Sequence, residues 1–326
     1  MRKWTIKMKY CFGIDVGGTT VKCGFFDEKC NLLDKWEIVT DKSNGGANII
    51  KDIAFTINNK LIERCIDAGS VTGIGVGVPG PVINKSTVNS CVNLGWGVTD
   101  VKSLLMAELK GLCGVNIPVV VENDANIAAL GEYVNGGGRG YDSLVMVTLG
   151  TGVGGGVIMN GRIVSGATGA AGELGHMPVV YDETEYCNCG KKGCLEQVAS
   201  ATGIVRVARK RVGQEKIINW TGYEELTAKH VFDAMANGDS MAEAVIDEVC
   251  GYLSTALAHI TCVINPEAIV IGGGVSKAGD VLIDKLVKYY KEKAFAGCRD
   301  TAIVLAVLGN DAGIYGAAGN ALVECN

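Results

Sequence analysis

The stretch Tyr10-Cys11-Phe12-Gly13-Ile14-Asp15-Val16-Gly17-Gly18-Thr19-Thr20 is an apolar strand running into a glycine turn, and its design recurs along the chain. Leu144 to Gly152 repeats it as Leu-Val-Met-Val-Thr148-Leu-Gly150-Thr151-Gly152, and Ala268 to Gly274 repeats it as Ala-Ile-Val-Ile-Gly272-Gly273-Gly274. A fourth run, Ile74 to Gly80, is similar but ends in Pro79-Gly80. After the first two turns the chain resumes as a strand, at Val21 to Phe26 and at Val157 to Met159. The second then meets Asn160-Gly161, the dipeptide of a two-residue hairpin loop. Each half of the chain is therefore expected to open with a β-hairpin whose turn is rich in glycine. Helical signals lie between the strands. Ala125 to Val134 follows Asp124, which reads as an N-cap. Met241 to Ile264 carries Val245, Ile246, Val249, Leu253, Leu257 and Ile260 at helical spacing, and Asn265-Pro266 stops it. Strands alternating with helices in this way give an α/β protein.

At 326 residues the chain has room for two packed domains, and 48% hydrophobic residues supply their cores. The 46 glycines, without a three-residue period, point to many tight turns where backbone approaches something closely. A net charge of −5 argues against nucleic acid as a partner. The densest basic stretch, Arg206-Val207-Ala208-Arg209-Lys210-Arg211, reads as a solvated helix face. Thirteen cysteines in a chain of this length and core content suggest a reduced, cytoplasmic protein rather than a disulfide scaffold. Cys11, Cys23 and Cys262 sit in apolar strings and are expected in the core. Charges at Arg2, Lys3, Lys7 and Lys9 interrupt the N-terminus before any signal-peptide core, and no apolar run approaches a membrane span.

Gly150-Thr-Gly152-Val-Gly-Gly155 satisfies G-x-G-x-x-G, but a dinucleotide fingerprint needs a helix directly after the glycines. Here a strand follows instead, and no Walker A pattern is present. What remains is a pair of glycine hairpins, Asp15 to Thr20 and Thr148 to Gly156. Bare N–H groups and threonine hydroxyls in such turns cradle phosphate oxygens. Asp15 would suit the magnesium that accompanies ATP. Glu122-Asn123-Asp124-Ala125-Asn126 sets carboxylates and amides where a strand gives way to a helix. Asp124 is there either a helix cap or an acceptor for the proton of a bound hydroxyl. The sharpest signal is Glu173-Leu-Gly-His176 followed by Cys187-Asn-Cys189-Gly-Lys-Lys-Gly-Cys194-Leu-Glu196. Its three cysteines and His176 make a closed tetrahedral Cys3His set for a structural zinc. His230 and His259 have no such company.

Together these residues resemble the ROK sugar kinases, the bacterial glucokinases in particular, from Tyr10 onward. The match includes Asp15-Val-Gly-Gly-Thr19, Glu122 to Asn126, Leu149 to Gly156, Glu173-x-x-His176 and Cys187-x-Cys-Gly-x-x-Gly-Cys194-x-Glu196. The resemblance implies an actin/hexokinase-like (ribonuclease H-like) α/β fold with two domains and an active-site cleft between them. It puts residues 1–122 plus about 312–326 in a smaller domain, and 123–311 in a larger one holding the zinc. It implies ATP-dependent phosphorylation of glucose to glucose 6-phosphate, with Asp124 as general base. Gly80, Asn123, Glu173, His176 and Glu196 would then bind the sugar. Asp15, Gly17, Gly18, Thr19, Thr20, Thr148, Gly150, Thr151, Gly152 and Gly272, Gly273 and Gly274 would hold ATP and Mg2+. A homo-oligomer, dimer or tetramer, is expected. The alternative within the family is an N-acetylglucosamine or N-acetylmannosamine kinase. The family's transcriptional repressors carry a helix-turn-helix region ahead of the Asp-x-Gly-Gly-Thr motif, and only 14 residues precede Asp15.

Overall fold

The computed structural model describes residues 8–213 and 225–325, and in it the chain divides by packing into two compact units. Arg2, Lys3 and Lys7 lie outside the described residues. The first unit comprises residues up to Arg139, Gly161–Ala171 and Asn310–Asn326. The second comprises Gly140–Asn160 and Gly172–Gly309. This division puts residues 123–139 with the first unit, whereas the family resemblance implies a boundary after residue 122.

The first unit is a sheet of β1 (Tyr10–Val16), β2 (Thr20–Asp27), β3 (Leu32–Val39), β4 (Val71–Val78) and β5 (Val119–Asn123), in the order β3-β2-β1-β4-β5. β1, β2 and β3 are joined as antiparallel hairpins, while β1, β4 and β5 run parallel. Parallel strands covered on both faces need near-continuous apolar runs, and β4 is buried at all positions but one. Helices α1 (Ile49–Glu63) and α2 (Val101–Cys113) contribute Ile53, Ile57, Leu61, Leu105 and Leu109 to a core with Phe12, Ile14 and Val76. Other packing partners are α3 (Asp124–Asn135) and the C-terminal helix Ala312–Glu324. That helix lies directly on backbone. A Cβ at Gly13 would collide with the Ile314 carbonyl, and one at Gly316 with the Ile127 carbonyl of α3. These contacts explain why residues 124–135 pack with the first unit.

The second unit repeats the opening. β6 (Ser143–Leu149) and β7 (Val153–Met159) form the second antiparallel hairpin. β8 (Ala268–Gly272) and β9 (Ala302–Leu305) run parallel to β6, giving the order β7-β6-β8-β9. Asn160 and Gly161 both take positive φ, as a primed turn after β7 demands. Helices α4 (Ala201–Val212), α5 (Ala228–Ala236), α6 (Ser240–Ile264) and α7 (Asp280–Lys293) pack here. The Asp239 side chain caps α6 by accepting from Met241 and Ala242 N–H, and Asn265 ends it in the left-handed conformation. Val245, Ile246, Val249, Leu253, Leu257 and Ile260 all enter the core, as their spacing predicts.

One sequence expectation fails in this unit and a second holds only in part. Cys262 is exposed, unlike the fully buried Cys11 and Cys23, because it falls on the outer face of α6 beside the exposed Val263. The basic run on α4 is solvated at Lys210 and Arg211, both exposed, but its charges are paired rather than free in solvent. Arg206 and Lys210 pair with the buried Glu183, at 2.6 and 3.1 Å, and Arg211 pairs with Glu248 at 3.0 Å. Glu183 also accepts the N–H groups of Thr184 and Glu185. Burial opposes its charge, but the Glu185 N–H, Arg206 and Lys210 outweigh it and hold the carboxyl down at about 2.

Candidate active site

Asp15 stands near the end of β1, just before the turn. That turn is closed by the Gly17 N–H donating to the Thr20 carbonyl at 3.0 Å. Thr40 fastens it from the side, its hydroxyl donating to the Gly17 carbonyl at 2.7 Å. Gly313, in the first turn of the C-terminal helix, lies against the Asp15 carboxylate. Burial raises the Asp15 carboxyl to about 6, the nearby Asp124 charge adds to the rise, and Lys22 opposes it. A carboxylate raised by burial and by a neighbouring carboxylate regains its charged form more readily when a cation sits beside it.

β5 delivers Asn123 and Asp124 to the start of α3, and the sequence misjudged which of them caps it. The cap is Asn123, whose Oδ1 accepts from Ala125 N–H at 2.9 Å and Asn126 N–H at 3.3 Å. Its Nδ2 donates to the Gly80 carbonyl at 3.1 Å, so Gly80 and Asn123 form one structural piece. Gly80 sits at φ 95°, where a side chain would be strained, and a Cβ would fall 2.7 Å from the Ser90 carbonyl. With Asn123 as cap, Asp124 occupies the first helical position, where the helix dipole favours a carboxylate.

In the second unit the turn from Leu149 to Val153 is closed by Gly150 N–H donating to the Gly152 carbonyl at 3.0 Å. The N-terminus of α4 holds it from below. Ala201 N–H donates to the Gly150 carbonyl, and the Thr202 hydroxyl donates to the Thr151 carbonyl, each at 2.8 Å. Thr148 precedes this turn on β6 and pairs in register with Gly272 on β8. Gly272 ends β8, and Gly273 and Gly274 follow it directly. Hollows adjoin these turns. One of about 690 Å3 is lined by Thr151, Thr202, Arg206 and Thr227, and one of about 350 Å3 by Thr227, Phe232, Gly274 and Val275. Thr202, Thr227 and Val275 are not legible in the sequence, because a wall assembled from three separate elements has no spacing to read.

His176, Cys187, Cys189 and Cys194 come together as the sequence expected, with ligand atoms all within 4.8 Å of one another. Cys189 Sγ lies 3.6 Å from Cys194 Sγ, and Cys187 Sγ 3.8 Å from His176 Nδ1. A tetrahedron with Zn–S bonds of about 2.3 Å has edges of about 3.8 Å, which these two spacings approach. The two ring nitrogens of His176 face different neighbours. Nδ1 is on the cysteine side, 3.7 Å from Glu196 Oε1, and Nε2 is 3.9 Å from Glu173 Oε2. Glu196 Oε1 also accepts from the Cys187 thiol at 2.8 Å. A Cβ at Gly152 would fall 2.9 Å from Glu196 Oε2, so this carboxylate links the metal cluster to the second glycine turn.

The ROK family model matches residues 11–324. A glucokinase of Halalkalibacterium halodurans is 43% identical over 94% of this chain and 93% of its own length. The crystal structure of a ROK hexokinase from Thermus thermophilus superposes with a TM-score of 0.80 at 31% identity, covering 97% of this chain and 98% of that one. A ROK family glucokinase from Streptomyces griseus, in complex with glucose and AMPPNP, matches with a TM-score of 0.70 at 33% identity over 95% and 98% of the two chains. These matches run nearly the whole length of the chain, and the chain belongs to the ROK family, with its actin/hexokinase-like α/β fold.

Proposed function

We propose that this chain is an ATP-dependent glucokinase that moves the γ-phosphoryl group of ATP to the 6-hydroxyl of glucose. The observation that carries the reading is Asp124 at the first position of α3, its Oδ1 accepting from Ala125 N–H at 2.9 Å, together with Asp15 beside the first glycine turn. The likeness to the Halalkalibacterium glucokinase and to the glucose and AMPPNP complex supports the choice of sugar and donor.

The chemistry asks little of the protein beyond position, charge and a proton acceptor. The Asp124 carboxylate takes the proton of the 6-hydroxyl as that oxygen bonds to the γ-phosphorus. The bond to the β,γ-bridging oxygen breaks, and ADP leaves with the electron pair. Glu173, Glu196, Asn123 and Gly80 hold the sugar, the carboxylates accepting from its hydroxyls. His176 joins them through Nε2. The N–H groups at Gly17 to Thr20 and Gly150 to Gly152, with the Thr19, Thr20, Thr148 and Thr151 hydroxyls, hold the phosphates. Gly272 to Gly274 border the nucleoside. Asp15 is the residue suited to Mg2+, which when bound neutralises charge on the transferring phosphoryl group. The Cys3His set suits a structural zinc, whose part is to fix His176 through Nδ1 and leave Nε2 for the sugar. Thirteen free thiols agree with a cytoplasmic location, and no helix of the described residues is long and apolar enough to cross a membrane.

The test is a substrate panel with purified protein and ATP. Glucose is expected to be turned over in preference to N-acetylglucosamine and N-acetylmannosamine. Brisk turnover of an N-acetylhexosamine with none of glucose would assign the chain to the other kinase class.

A further inference from the structure

Glu122 precedes the Asn123–Asp124 pair on β5 and is only 3% exposed. A carboxylate in such a place needs donors, and it has three. Asn123 N–H donates to Oε1 at 2.9 Å, Asn126 Nδ2 donates to Oε1 at 3.1 Å, and the Ser165 hydroxyl donates to Oε2 at 2.8 Å. The first two bracket Asp124, one residue before it and two after. Asn126 is itself 2% exposed, and its Oδ1 has no hydrogen-bond partner among the described residues, so its amide is oriented by Glu122.

The third contact reaches a different part of the chain. Ser165 belongs to Gly161–Ala171, which packs with the first unit. Ala171 N–H donates to the Ser165 carbonyl at 3.1 Å, closing these residues into a loop, and Glu173 follows two residues later. The loop is seated a second time at Gly169, which lies against the Val82 carbonyl. One buried carboxylate therefore holds both the turn that presents Asp124 and the foot of the loop that leads to Glu173.

We propose that Glu122 is a positioning residue for phosphoryl transfer, and Ser165 its relay to the sugar-binding loop. Glu122 fixes the direction of Asp124 through Asn123 and Asn126, which acts on kcat. Ser165 fixes the start of the segment carrying Glu173, which acts on the KM for glucose. The inference depends on Asp124 being the base, so the experiment includes Asp124→Asn as a separate arm.

Steady-state kinetics with glucose and ATP, together with thermal midpoints, would be measured for Glu122→Gln, Ser165→Ala, Ser165→Thr and the Glu122→Gln/Ser165→Ala double variant. Glu122→Gln keeps the shape but removes the charge, and is expected to lower kcat roughly ten- to a hundredfold, the scale of a small misplacement of a reacting group. Ser165→Ala is expected to raise the KM for glucose about tenfold with kcat largely kept, the loss of one hydrogen bond to a charged group. Ser165→Thr, which keeps the hydroxyl, restores it. The double variant is expected to be no worse in KM than the product of a shared network allows, that is, less than additive. Wild-type KM in Ser165→Ala, or losses that Ser165→Thr shares, would overturn the proposal, and so would unchanged kcat in folded Glu122→Gln. If Asp124→Asn keeps a near-normal rate, it is the base assignment that fails. Should Glu122→Gln not fold, the Ser165 pair alone decides.

Discussion

Asn123 and Asp124 differ by one atom type and stand side by side, yet the structure gives them different work. Either residue is a good N-cap, so the sequence could not say where α3 begins; a shift of one position exchanges cap and first helical residue. The hydrogen bonds settle it for Asn123. Asp124→Asn is accordingly expected to fold and bind glucose, while kcat falls about 10²–10⁴-fold, the usual share of a general base. Initial-rate assays beside glucose binding by calorimetry check it; a near-normal rate would remove Asp124 from the role. Glu183 was invisible as a structural residue because its partners lie on α4, far along the chain. Its folded carboxyl titrates near 2 against an ordinary 4.5, so the ionised group stabilises the fold above that ordinary value and loses its contribution as pH falls from about 4.5 toward 2. Thermal midpoints of wild type and Glu183→Gln should therefore differ most at neutral pH and converge in acid. A gap that stays constant with pH would contradict the assigned charge.

At the scale of elements, the glycine hairpins were legible because turn chemistry is local: a glycine-rich turn between apolar runs leaves few other options. Helix-on-sheet contacts were not. Gly13 and Gly316 look like ordinary small residues in sequence, and only the fold shows that each admits another backbone. Cys262 failed for a related reason, since an apolar neighbourhood in a helix fixes hydrophobicity but not the face. Gly316→Ala puts a methyl against the Ile127 carbonyl of α3, the helix that carries Asp124. Overpacking of this kind costs about 1–3 kcal/mol. A lowered thermal midpoint with a reduced kcat is expected, and a midpoint equal to wild type would show that the helices part without cost.

For the whole molecule, motif order along the chain carried more of the function than any single motif. The Cys–His cluster is legible as a candidate metal set because its members lie close in sequence, whereas the hollows beside Thr151 and Gly274 draw on residues up to Ala278 and are not. Elemental analysis is expected to give about one zinc per chain. Cys189→Ser should lose the metal and raise the KM for glucose through His176; an intact KM without metal would detach zinc from the sugar site. The central claim is that glucose is the acceptor and its 6-hydroxyl the point of attack. Assay of the purified protein with ATP, Mg2+ and glucose, following glucose 6-phosphate through its specific dehydrogenase, tests it most directly. The account predicts glucose 6-phosphate formed in step with ADP, and faster turnover of glucose than of any N-acetylhexosamine; ADP formed with an N-acetylhexosamine but not with glucose would contradict it.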